Sequence, residues 1–158
     1  MLSWLTTTYI GKMVAVFVVS MVPIIELRGA IPYGVGMNLP LWVTFILGVA
    51  GNMVPIPFII IFLRRIFLWM KQKPKLAKIV NKLEKKAHLN GQKVQKYREL
   101  GLFILVAIPL PGTGAWTGAL VASVLDIRLK KAFPIITAGV IAAGLIVLFI
   151  SYGIKMLL

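Results

Sequence analysis

Glu26 is the one acidic residue between Val14 and Phe62, and it stands two positions from Arg28 in the cluster Pro23-Ile24-Ile25-Glu26-Leu27-Arg28-Gly29-Ala30-Ile31-Pro32-Tyr33-Gly34. An ionisable pair inside apolar sequence is costly to bury in lipid unless it faces protein, a partner or a water-filled cavity. The chemistry such a pair offers is proton exchange at the carboxyl and anion binding at the guanidinium. Desolvation disfavours the carboxylate while the neighbouring cation favours it, and opposed effects of this kind poise a group to bind and release a proton. Arg28 presents a planar fork that suits phosphate oxygens bidentately. Glu26 and Arg28 are therefore the expected transport and coupling residues. The plainer alternative is that they neutralise each other or bond backbone groups freed at a chain reversal. Asn52, between Gly51 and Met53, is a third candidate, either facing a cavity or bonding a neighbouring helix.

A second cluster, Pro109-Leu110-Pro111-Gly112-Thr113-Gly114, is glycine-rich without being a nucleotide loop, because the Gly-Lys-Ser/Thr ending is missing. Its expected job is close backbone approach, with Thr113 and Thr117 hydrogen-bonding freed carbonyls. Helix N-termini beside Gly29 or Gly112 would add backbone donors for an anionic headgroup. Asp126 and Arg128 mark a corner before the last apolar segment, where Asp126 caps a helix or pairs with a base. No His, Asp and Glu share metal-ligand spacing, and no Ser or Thr comes with a nearby His and acid. Neither an enzyme, a metal nor another cofactor is expected. His88, alone among lysines, reads as a solvated residue, and the seven methionines read as packing.

The elements that must position these residues belong to an integral membrane protein. Hydrophobic residues make up 59% of the chain and charged ones 14%, against about 25% charged in a soluble domain. A length of 158 residues leaves room for a single domain. With no cysteine there is no disulfide or thiol chemistry. The first residues lack a basic region and a small-x-small cleavage site, and are expected to be retained.

Twelve of the eighteen basic residues lie between Arg64 and Arg98. A basic stretch between apolar segments is the positive-inside signal, so 64–98 is expected to be cytoplasmic in a cell inner (plasma) membrane. Within it Leu76, Ile79, Val80, Leu83 and Ala87 recur at helical spacing before an Asn90-Gly91 break, predicting a basic amphipathic helix on the inner leaflet. Anionic lipid headgroups are the partners such a helix suits. Nucleic acid is not expected, since no aromatic and basic interleaving accompanies the charge.

A spanning helix needs about 20 apolar residues, and 40–63 and 132–152 qualify. The apolar runs before Pro23 and before Pro109 are shorter, reaching only about halfway through a bilayer at ~1.5 Å per residue. Residues 13–37 and 101–125 therefore read as two re-entrant helical hairpins, with four plain, proline-kinked spans as the competing count. A hairpin plus a span in each half crosses the membrane an odd number of times, so the halves would form an inverted repeat. The expected fold is all-α, with this repeat joined by the cytoplasmic basic helix. Gly48, Gly51, Gly139, Ala143 and Gly144 would let spanning helices pack closely.

The two clusters, the first around Glu26, Arg28, Gly29, Pro32 and Gly34 and the second from Pro109 through Gly114 to Trp116, Thr117 and Gly118, resemble those of the small multidrug export protein family. That family is similar in plan to the DedA group, whose members also pair re-entrant hairpins with spanning helices. The resemblance implies a small membrane transporter, and the DedA likeness implies movement of lipids such as a polyprenyl phosphate, with acid and arginine residues tied to proton coupling. The second cluster departs from the DedA pattern by carrying Gly112, Thr113 and Gly114 where an acid and an arginine are usual. The expectation is a transporter or scramblase of an anionic lipid, phospholipid or polyprenyl phosphate, working as a homodimer. Its rivals are a proton-driven exporter of cationic drugs, which Arg28 would repel, and a membrane scaffold recruiting partners through the basic helix.

Overall fold

The computed structural model of the chain describes residues 7–73, 77–78, 91–110 and 112–157, with the backbone alone over 91–96. It contains α1 (Tyr9–Met21), α2 (Glu26–Gly36), α3 (Leu41–Met53), α4 (Pro55–Lys71), α5 (Gly91–Ala107), α6 (Ala115–Val124) and α7 (Leu129–Leu157). No strand occurs among the described residues. The amphipathic helix expected over 76–87 lies outside them except for Ala77 and Lys78, as do His88 and Pro111.

Among the described residues, two helical stretches are long and apolar enough to cross a membrane, Leu41–Lys71 and Leu129–Leu157. The 29 residues of α7 extend about 43 Å, more than the ~30 Å of bilayer hydrocarbon. The first stretch bends at Val54 between α3 and α4, because Pro55 and Pro57 withhold two amide donors from the helical ladder. It also runs beyond the expected end at residue 63, carrying Arg64 and Arg65 inside the helix as far as Lys71. Similarly, α5 begins at Gly91, well before residue 101.

Side chains are distributed as a lipid solvent requires. Trp42, Ile46, Phe58, Phe62 and Phe149 are all more than 60% exposed, whereas Ser20, Glu26, Thr44, Asn52 and Ser123 are buried. Apolar groups facing out with polar groups inside is the arrangement favoured where no water surrounds the helices. Small residues allow the helices to approach. Leu27 fits between Gly48 of α3 and Gly144 of α7, where an added Cβ would meet its Cδ1 at 3.7 and 3.0 Å. Ala115, Ala119 and Ala122, at helical spacing, turn one smooth, fully buried face of α6 to the core.

The short helices form two antiparallel pairs. In the first, Lys12 of α1 donates to Met37 O at 3.0 Å and Gly34 of α2 abuts Val16, so the pair opens at that end and reverses over 22–25. In the second, Gly118 of α6 packs on Val106 and Leu102 of α5, and the reversal falls between Ala107 and Ala115. The open end of this second pair lies with Lys131, 3.2 Å from Glu99, and with Arg64, 3.0 Å from Asp126. Helix α7 links the two levels. It starts beside Asp126 and finishes with Tyr152 donating to Leu39 O at 2.9 Å and Lys155 to Asn38 Oδ1 at 2.8 Å. The pairs thus open toward opposite ends of the molecule, and their closed tips meet between.

Candidate functional site

Each tip is a helix break, and a break leaves backbone groups in need of partners. At the first tip Pro23 removes a donor, and the chain reverses through Ile24 at φ 77° and Glu26 at φ 47°. Left-handed backbone at non-glycine residues costs roughly 1–3 kcal/mol each, so surrounding contacts must hold it. At the second tip α5 ends at Ala107, leaving the Ile108 and Leu110 carbonyls beyond its last turn. Helix α6 then starts after Gly114, whose φ of 124° suits glycine and whose lack of a side chain leaves the first amides of α6 uncapped from within.

The first hairpin supplies what the second lacks. Glu26 Oε1 accepts the Trp116 amide at 3.0 Å, and its carboxylate rests against Gly114, with the residue only 4% exposed. Arg28 spreads its fork over the other strand of the tip. Its Nη2 donates to Thr113 Oγ1 at 2.8 Å and to Ile108 O at 3.2 Å, and its Nη1 donates to Leu110 O. The acid therefore sits on the positive, amide end of α6 and the base on the negative, carbonyl end of α5, which is the pairing helix dipoles favour. Thr113 completes the knot, its hydroxyl lying 2.8 Å from both Ile108 O and Leu110 O. Thr117 donates to Gly112 O at 3.0 Å. The helix N-terminus expected beside Gly112 starts two residues later, after Gly114, and its Trp116 amide is given to Glu26.

Other candidates fall around this latch. Pro32 lies inside α2, where its missing N–H leaves the Arg28 carbonyl without a helical partner. Gly29 faces Ile25 one turn back, and Gly34 packs against Thr44, 2.6 Å from an added Cβ to Thr44 Cγ2. Pro109 is part of the second tip, and Gly112 there has φ 82° with open space beside it. Asn52 is 1% exposed and its Oδ1 has no hydrogen-bond partner among the described residues. It stands one turn beyond Gly48, whose neighbours are Leu27 and Ile31, at about the level of the tips. Asp126 pairs with Arg64, away from the latch, and shares with Arg98, Glu99, Arg128 and Lys131 a polar pocket of about 360 Å³.

The sequence reading named Glu26, Arg28 and Thr113 and, as its plainer alternative for the charged pair, bonds to backbone freed at a chain reversal, but not which amides and carbonyls these are. The Trp116 amide and the Ile108 and Leu110 carbonyls are backbone groups, and no residue type announces them. Lys12 and Lys155 were also missed. The signal for them was available, since with Arg28 they are the bases lying outside the dense clusters at 64–98 and 128–131.

No curated protein and no solved structure matches the chain. A family model does, over residues 26–146, which begins at the latch glutamate, just after the first reversal, and takes in the second tip, the basic segment and most of α7. With two antiparallel helix pairs tied tip to tip inside a helical body whose surface and core are both apolar, this chain belongs to the family described as "Putative small multi-drug export protein".

Proposed function

We propose that the chain is a membrane transporter that moves an anionic lipophilic molecule, and that the Glu26 and Arg28 latch is its gate. The carrying observation is the one-way tie, in which both charged side chains of α2 satisfy groups of the second tip. An anion competing for the Arg28 fork would release the α5 side of the tip. Protonation of Glu26 would weaken its hold on the α6 amides. A substrate and a proton would thus each loosen one strand of the same knot, which is how a coupled gate can work.

The chain's internal likeness supports reading it as an inverted repeat of a re-entrant hairpin and a span. Helix α1 packs on α3 as α5 packs on α7, and α2 meets α7 as α6 meets α4. In both halves a glycine of the long helix abuts a phenylalanine carbonyl of the hairpin, Gly51 at Phe17 O and Gly139 at Phe103 O. The basic segment orients the molecule, with 64–98 in the cytoplasm of a multi-pass inner-membrane protein and the Lys12 and Lys155 end outside. Two spans and two hairpins offer little surface to enclose a path, so the working unit is a homodimer. The DedA-like plan favours a phospholipid or polyprenyl phosphate as the cargo.

The test is transbilayer movement of a labelled anionic lipid in proteoliposomes, with and without a pH gradient, for the native chain and Glu26→Gln. Movement that follows the gradient and disappears in the variant is the expected result. Movement indifferent to both reduces Glu26 to a structural residue. Absence of movement above empty liposomes overturns the lipid reading and leaves drug export, the activity in the family's description, as the reading to test next.

A further inference from the structure

An apolar cavity of about 520 Å³ opens between α2 and α7 at the end of the molecule remote from the basic segment. Its walls are Val35 and Gly36 from α2 with Val147, Ile150 and Ile154 from α7. Two features fix its direction. At one end stands Lys155, bonded to Asn38 Oδ1 at 2.8 Å and Val35 O at 3.4 Å. At the other lies Pro109, between the two residues whose carbonyls Arg28 holds. The groove therefore runs from a lysine at the molecular end to the underside of the latch.

We infer that this groove takes the hydrocarbon chain of an anionic amphiphile, with its headgroup against Lys155. The volume lies in the range of small-molecule sites, about 300–1,000 Å³, and such sites are apolar with few polar groups that set orientation. Charge decides the sign of the headgroup. Among the described residues, no acid lines the cavity. Of the four acids in the chain, Glu26 is committed to α6, Glu99 and Asp126 lie at the opposite end, and Glu84 belongs to the basic segment. The nearest charges at the open end are Lys12 and Lys155, both resting on uncharged oxygens that a phosphate or carboxylate would outcompete. A lipophilic cation would find no counter-charge here. The inference rests on the transport reading and adds the site that holds its cargo.

Gly36 supplies the probe for the groove, because a Cβ added there meets nothing within 4 Å, so Gly36→Phe fills the space without displacing backbone. The full chain in phosphatidylcholine nanodiscs is titrated with a fluorescent long-chain alkyl phosphate and with the matching alkyl trimethylammonium. The phosphate is expected to bind about tenfold tighter, a preference that Lys155→Glu reverses. Gly36→Phe weakens binding of the phosphate about tenfold, and Ile154→Trp, at an exposed wall position, does the same independently. Inorganic phosphate leaves the bound amphiphile in place. Equal affinity for the two probes, indifference to both filling variants as for bulk bilayer hydrocarbon, or displacement by inorganic phosphate each overturns the inference. Binding with these properties but no transport would sink the transport reading alone, and transport that ignores the filling variants would sink the groove alone.

Discussion

The side-chain position missing from Gly114 is occupied by the Glu26 carboxylate. Gly114 also has φ 124°, whereas Gly112 has a positive φ but empty space beside it. Of the two positive-φ glycines in this tip, only Gly114 therefore abuts the latch.

Gly112→Ala is expected to cost about 1 kcal/mol, the penalty of a Cβ in left-handed backbone. Gly114→Ala costs more in backbone alone, since φ 124° with ψ −169° is essentially open to glycine only, and it also displaces Glu26 from the α6 amides, adding roughly 1–3 kcal/mol for buried groups left unpaired. Thermal unfolding in one detergent should show Gly114→Ala melting well below Gly112→Ala. Equal melting points would mean that the carboxylate moves aside without loss.

Glu26→Gln keeps an oxygen that can accept the Trp116 amide, so it should stay within about 1 kcal/mol of the native stability. Glu26→Ala should lose roughly 1–3 kcal/mol. The same pair read by transport should both be inactive under a pH gradient, which separates the cap from the proton-binding role. A Gln variant that transports normally would leave only the cap.

Arg28 reaches three acceptors with one planar fork. Lysine offers a compact point charge that cannot span them, so Arg28→Lys should release part of the second tip at a cost of about 1–2 kcal/mol. Amide hydrogen exchange should rise in the 108–114 segment while α7 stays protected. Unchanged exchange there would show that the tip holds itself.

Ile24 combines φ 77° with 95% exposure, so its side chain gives the fold little and its backbone conformation costs energy. Ile24→Gly should raise stability by about 1 kcal/mol by relieving that conformation. A lower melting point would show that the exposed side chain is needed at the tip, as a contact to lipid or to a second copy of the chain.

Cysteines placed at Thr8 and Gly36, at the open end of the first hairpin, should label from the same side of the membrane. A cysteine at Arg98, at the open end of the second pair, should label from the other. Thr8 and Gly36 labelling on opposite sides would establish a span where a re-entrant hairpin is proposed.

Composition alone determined that the chain lives in lipid, because a body with 14% charged residues and long apolar runs has no soluble alternative. Proline punctuation marked the two reversals, although Pro32 and Pro134 lie inside helices and end neither. The ring at Pro23 and the Pro109 cluster break the ladder wherever they sit, and the reversals appear at 22–25 and between Ala107 and Ala115. Length set the two long helices for the same local reason. Their ends were less legible, since Arg64 and Arg65 continue a helix whose charge suggested a loop, and long basic side chains do so readily at a membrane surface.

Only the tertiary structure decided what Glu26 and Arg28 touch. In sequence they are two residues apart and invite a reading as a mutual pair, but α2 carries both to the second tip, where backbone ends of opposite polarity wait for them. Those partners are amides and carbonyls that every residue possesses, so their availability depends on where another helix happens to end. The groove beneath Lys155 was invisible for the same reason. It is built from ordinary apolar residues of α2 and α7 far apart in the chain, and it becomes a place for a ligand only when folding leaves a gap between them.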